Sequence, residues 1–120
     1  MSQTSTVLIV EDIPTLGDIL VRIVNQYYPQ IQTLTATSVR AAQQILQDQA
    51  VTAVITDYVL PDGSGLGVLM AAHACDQAVP VVVVSGRPDV APAMLAAGAV
   101  GFVEKPFTMD ELLELLQRLF

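Results

Sequence analysis

Hydrophobic and polar positions fall into alternating blocks along the chain. Five short apolar runs, at residues 6–10, 31–36, 51–56, 79–84 and 99–103, are each followed by turn residues and a stretch of helical periodicity. Four are nearly unbroken aliphatic or β-branched runs, as expected of strands covered on both faces. The exception is Ile31, Gln32, Thr33, Leu34 and Thr35, which alternates and so belongs at a sheet edge. In the first helical stretch Leu16, Ile19, Leu20, Ile23, Val24 and Tyr27 form one stripe, with Thr15, Asp18, Arg22 and Gln26 opposite and Pro14 in the first turn. The second, 38–48, turns Val39, Ala42, Ile45 and Leu46 inward. The last opens on Thr108, with Glu111 three residues on as its capping-box partner, and continues through Leu112, Leu115, Leu116 and Leu119.

This order predicts an α/β fold, a flavodoxin-like doubly wound sheet of five parallel strands in the order 2-1-3-4-5 with five helices. At 120 residues the chain is read as one domain over residues 1–120, with no linker, repeat or low-complexity tract. Composition sharpens the picture: 52% of residues are hydrophobic and only 14% charged, which suits strands buried on both faces. No apolar stretch reaches the roughly 18 residues of a spanning helix, so no membrane partner is expected. A net charge of -7 argues against direct nucleic-acid binding. Residues 1–6 carry no basic region of the kind that opens a signal peptide, and the single cysteine, Cys75, suits a reducing compartment; both predict a cytoplasmic protein.

The candidate chemistry lies where the apolar runs stop. Glu11 and Asp12 close the first, Asp57 closes the third, and Lys105 follows the fifth. In a sheet of order 2-1-3-4-5 the ends of strands 1 and 3 flank the point where the winding reverses, the place where such folds bind ligands. Three carboxylates gathered there repel one another and call for a cation, and a hard, oxygen-seeking ion such as Mg²⁺, or Mn²⁺ in its stead, suits them. A carboxylate can attack phosphorus, and a metal and a lysine can neutralise the phosphoryl oxygens. Ser85, after the run Val81, Val82, Val83 and Val84, places a hydroxyl at the same edge.

Taken together, Val7 to Asp12, Asp57 with Leu60, Pro61, Asp62, Gly63, Ser64 and Gly65, then Ser85, then Lys105, Pro106 and Phe107 resemble the receiver domain of two-component response regulators. The likeness spans essentially the whole chain. It implies that Asp57 takes a phosphoryl group from a phosphohistidine on a sensor histidine kinase or histidine phosphotransfer protein. It implies Mg²⁺ held by Glu11 or Asp12, by Asp57 and by the backbone carbonyl of Val59, with Ser85 and Lys105 on the phosphoryl oxygens. A cis peptide between Lys105 and Pro106 is implied too. By the same resemblance Ser85 and Phe102 form the switch that reshapes the face of helix 4, strand 5 and helix 5 for a downstream protein, an output domain or a second copy. Such a module is not an enzyme beyond phosphorylating and dephosphorylating itself.

Some features are this chain's own. Residues 63–75 and 90–103 carry no Asp, Glu, Lys or Arg, so helices 3 and 4 are almost uncharged, and Val90, Met94 and Leu95 are expected on a partner face. Pro88 and Pro92 predict a short or late helix 4. Val59, two residues past Asp57, has no polar group to meet an attacking water, which predicts an altered rate of autodephosphorylation. The same residue counts against the alternative function, a small aspartate-nucleophile phosphatase of the haloacid dehalogenase type, which needs an acid there. A nucleotide loop at residues 63–67 is weak, because the glycines follow strand 3 and not strand 1. His73 has no second ligand at metal spacing.

Overall fold

The computed structural model describes residues 5–120; residues 1–4, which bear on the signal-peptide expectation, lie outside them. The elements follow one another as β1 (Thr6–Val10), α1 (Pro14–Tyr27), β2 (Gln32–Ala36), α2 (Val39–Asp48) and β3 (Ala53–Asp57), then α3 (Gly65–His73), β4 (Val81–Ser85), α4 (Ala91–Ala96), β5 (Gly101–Glu104) and α5 (Met109–Leu119). Val59–Leu60 and Gly63–Ser64 form a separate two-residue antiparallel hairpin between β3 and α3. The main sheet is parallel, in the order β2-β1-β3-β4-β5, as the sequence predicts. β3, β4 and β5 each begin two residues later than their apolar runs and end one residue further on. Asp57 and Ser85 are therefore the last residues of their strands, held by sheet hydrogen bonds and not by flexible turns.

The strands alternate their side chains between two cores. Val7, Ile9, Ala53, Ile55, Val82 and Val84 pack with Leu20, Ile23 and Val24 of α1 and Leu112, Leu115 and Leu116 of α5. Leu8, Val10, Val54, Val81 and Val83 pack on the other face with α2, α3 and α4. Burial on both faces explains why these runs read as unbroken hydrophobic residues, and β2, at one edge, is the strand of the main sheet with the most exposed positions. Thr108 and Glu111 form the expected capping box at the start of α5.

Three expectations are corrected. Ile19 is 48% exposed and Tyr27 45%, because the inward line of α1 is Leu20, Ile23 and Val24. Ile19 lies about a quarter turn off it at 3.6 residues per turn, and beyond Tyr27, at the helix end, Tyr28 turns inward instead, its ring centroid 5.0 Å from that of Phe120. The prolines do delay helix 4: Pro88–Val90 is a turn of 3₁₀ helix, and α4 has only six residues. The short segment turns one face inward, filled by Val90 at the end of the 3₁₀ turn and by Met94 of α4. Met94 is buried in the core and Val90 nearly so, leaving Leu95 as the exposed member of the expected partner face. Leu66 and Met70 of α3 and Val100 are further exposed apolar side chains on the weakly charged segments. Among the described residues no helix is long and apolar enough to cross a membrane.

Candidate functional site

The ends of β1, β3 and β5 bring the predicted charged residues together. Glu11 continues the β1 ladder by one bond, its N–H donating to Ala36 O at 3.0 Å, and its carboxylate is buried beside that of Asp57. Lys105 N–H donates to Ser85 O at 2.9 Å, which carries the backbone of β5 past the end of β4. From there Lys105 Nζ donates to Asp57 Oδ2 and to Glu11 Oε1, each at 2.8 Å. The peptide between Lys105 and Pro106 is cis, as the resemblance implies. Glu11, Asp12 and Asp57 each offer a carboxylate oxygen within 4.8 Å of the others'. Asp12 is the exposed member, so the cluster is open on one side.

The charges in this cluster are strongly linked. Burial pushes the Glu11 carboxyl up to about 7 and the neighbouring Asp57 carboxylate adds to the rise, while Lys105 opposes it. Burial alone would lower Lys105, but its hydrogen bonds to Asp57 and Glu11 hold the ammonium above its ordinary value. The folded protein therefore keeps a proton on Glu11 that the unfolded chain releases near pH 4.5. Stability contributed by protonated Glu11 is lost as pH rises from about 4.5 to about 7, up to on the order of 3 kcal/mol without metal. Urea unfolding across that window should show this decline in the wild type and a flatter profile in Glu11→Gln.

The loops beyond the strands frame the cluster. Val59 N–H donates to Asp57 Oδ1 at 3.3 Å, and Gly65 N–H to Tyr58 O at 2.7 Å. A Cβ on Gly65 would stand 2.6 Å from Asp57 O and 3.1 Å from Tyr58 Cα, both backbone atoms that cannot swing aside. Gly65→Ala should therefore cost about 1–3 kcal/mol, read as a lower urea midpoint, by forcing α3 away from the end of β3. Ser85 is fully buried and its Oγ accepts the Arg87 N–H at 3.1 Å; it makes no hydrogen bond to Asp57. Phe102, half-buried on β5, packs against the α2–α3–α4 core and lines a cleft with Leu95 and Val100.

Three contacts here have no counterpart in the sequence reading. The Arg87 guanidinium lies over the Tyr58 ring, 5.5 Å from its centroid, and pairs with Asp89 at 2.8 Å. Asp62 Oδ1 and Oδ2 accept the N–H groups of Val39 and Arg40 at the start of α2. His73 packs under Gly98, which has φ +111° and no room for a side chain. Each joins segments far apart in sequence, and only the aspartate in a turn and the glycine gave any local hint.

Comparison with known proteins agrees with this geometry. Residues 7–117 match the model of the response regulator receiver domain. The chain is 33% identical to the transcriptional regulatory protein MalR of Bacillus subtilis over 106 residues, 87% of this chain and 45% of MalR. It is 32% identical to the response regulator protein PilR of Pseudomonas aeruginosa over 111 residues, 91% of this chain and 24% of PilR. It thus spans less than half the length of these relatives. Among solved structures, a signal receiver domain from Vibrio parahaemolyticus superposes with a TM-score of 0.86 at 27% identity, covering 98% of this chain and 90% of that one. The receiver domain of the sensor histidine kinase PA1611 from Pseudomonas aeruginosa, solved with a magnesium ion in its active-site cleft, shares the fold with a TM-score of 0.81 at 22% identity, covering 97% of both chains. Val59 stands where the phosphatase alternative needs an acid, and that alternative is not favoured. The chain belongs to the receiver domain family of response regulators, the regulatory phosphoacceptor modules of two-component signalling.

Proposed function

We propose that Asp57 is the phosphoacceptor and that Lys105, Glu11 and Asp12 prepare it. The observation that supports this most is the paired contact of Lys105 Nζ with Asp57 and Glu11, which draws a cation and two buried carboxylates to one sheet edge. An Asp57 carboxylate oxygen attacks the phosphorus of a phosphohistidine on a sensor kinase or phosphotransfer protein. An O–P bond forms and the P–N bond breaks, its electron pair staying on the imidazole nitrogen, which takes up a proton. Lys105 stabilises charge on the phosphoryl oxygens, and Ser85 supplies a hydroxyl from the end of β4.

The donor set fits a hard divalent cation, because Glu11, Asp12 and Asp57 offer only oxygen ligands and Asp12 leaves one side open to water. Mg²⁺, or Mn²⁺ in its place, would be held by these carboxylates and the Val59 carbonyl. When bound it supplies positive charge against the phosphoryl oxygens. The phosphoryl group adds a charge of about -2, which biases Ser85 and Phe102 and through them the cleft between α4, β5 and α5. Leu95 and Phe102 lie on that surface, which takes a downstream protein, an output domain or a second copy. Val59, 53% exposed beside the site, offers an attacking water no side-chain hydrogen bond, and the phosphoryl lifetime is set accordingly. The setting is the cytoplasm, where the kinase meets its receiver. The reading is tested by exposing the protein to acetyl phosphate with Mg²⁺ and with a chelator: labelling of Asp57 only with the metal supports it, and equal labelling in both overturns it.

A further inference from the structure

The hairpin between β3 and α3 is fastened at its tip as well as at its base. Pro61 and Asp62 are its two central residues, since Leu60 pairs with Gly63 and Val59 with Ser64. Pro61 presets the backbone for the first central position of a tight turn. From the second, Asp62 reaches the start of α2, where Oδ1 accepts Val39 N–H at 2.8 Å and Oδ2 accepts Arg40 N–H at 3.0 Å. Both are orphan donors of a helix N-terminus, the end that favours negative charge. These same two bonds hold the Asp62 carboxyl below its ordinary value, led by the one from Arg40. The helix already has a local cap, because Ser38 Oγ accepts Ala41 N–H at 3.0 Å. Asp62 therefore adds a second cap from a different loop.

Packing reinforces the tie. A Cβ on Gly63 would meet Val39 Cγ2 at 3.3 Å, and one on Gly67 would meet Val39 Cγ1 at 3.1 Å, so the hairpin and the first turn of α3 lie directly on the Val39 side chain. Leu60 is buried in the same core as Val39. With the tip held by α2 and the base closed by Gly65 N–H on Tyr58 O, Val59 between them has little freedom to move.

We propose that Asp62 is a positioning residue, tying the hairpin to α2 so that the Val59 carbonyl is held at the metal cluster. This rests on the proposed reading of that carbonyl as a ligand. The site is then pre-organised from α2, an element that contributes no ligand of its own, and loss of the two bonds between Asp62 and α2 is what reaches metal affinity.

The test is an NMR titration with Mg²⁺ of the wild type, Asp62→Ala, Asp62→Asn and Ser38→Ala, with hydrogen exchange at the Gly65 amide measured in metal-free samples. Asp62→Ala should raise the half-saturating Mg²⁺ concentration about ten-fold, the lower end of what losing an outer-shell partner costs a metal site. Asp62→Asn, which keeps an acceptor oxygen, should fall between it and the wild type. Ser38→Ala removes the other cap of the same helix and should leave Mg²⁺ affinity and Gly65 exchange unchanged, whereas Asp62→Ala should speed that exchange. Wild-type affinity in Asp62→Ala, or an equal loss in Ser38→Ala, would overturn the inference. A wild type that fails to bind Mg²⁺ would instead overturn the metal reading, and unaltered Gly65 exchange in Asp62→Ala would then dismiss the tether itself.

Discussion

Asp57→Asn is expected to take up no phosphoryl group from acetyl phosphate in the presence of Mg²⁺, while remaining folded. The substitution keeps the size of the side chain at a buried strand end and removes the nucleophilic oxygen. It also removes a negative charge beside Glu11, where Asp57 is one of the causes that raise the carboxyl to about 7. Glu11 should then ionise at lower pH, and the metal-free variant should be at least as stable as the wild type at pH 7. Lost labelling with undiminished stability identifies a chemical role. Residual labelling above about a hundredth of the wild-type level, a smaller loss than removing a single oxyanion contact causes, would place the acceptor elsewhere.

Lys105→Ala carries the second large effect. Two carboxylates about 4 Å apart repel by about 4 kcal/mol at an effective dielectric near 20, and Lys105 is the only basic side chain among the described residues that pairs with Glu11 or Asp57. Without it Glu11 loses the contribution that opposes its rise, and more of it is protonated at neutral pH. The rate of labelling should fall by about 10²–10³, the usual result of losing one donor aimed at developing charge. Mg²⁺ binding should survive, since the lysine competes with the metal for the same carboxylates. Measuring labelling rate and Mg²⁺ affinity together separates this outcome from collapse of the site, in which both would be lost.

The sequence made the sheet legible because its central strands are buried twice over: Val7 to Val10, Val54 to Thr56 and Val81 to Val84 have no wet face to interrupt the pattern. Strand order then carried the site, bringing Asp57 to Lys105 across 48 residues and Glu11 to Lys105 across 94. Helix faces were less legible. Ile19 fits the hydrophobic stripe of α1 and is still exposed, because a stripe fixes a direction only to within a quarter turn. Val90 and Met94 look like surface candidates in an uncharged segment, but the prolines split it into a 3₁₀ turn and a short α4, and one apolar residue of each is needed inside. Contacts such as Arg87 on Tyr58 and Asp62 on α2 depend on how two loops meet in space, and no periodicity within either loop encodes that.

The most direct measurement locates the phosphoryl group. The wild type is treated with acetyl phosphate and Mg²⁺, reduced with borohydride, which converts an aspartyl phosphate to homoserine, and sequenced by mass spectrometry. The account predicts homoserine at position 57, absent when the metal is chelated. Reduction product at Glu11 or Asp12, or a phosphoryl group that survives on another side chain with position 57 unchanged, would contradict it.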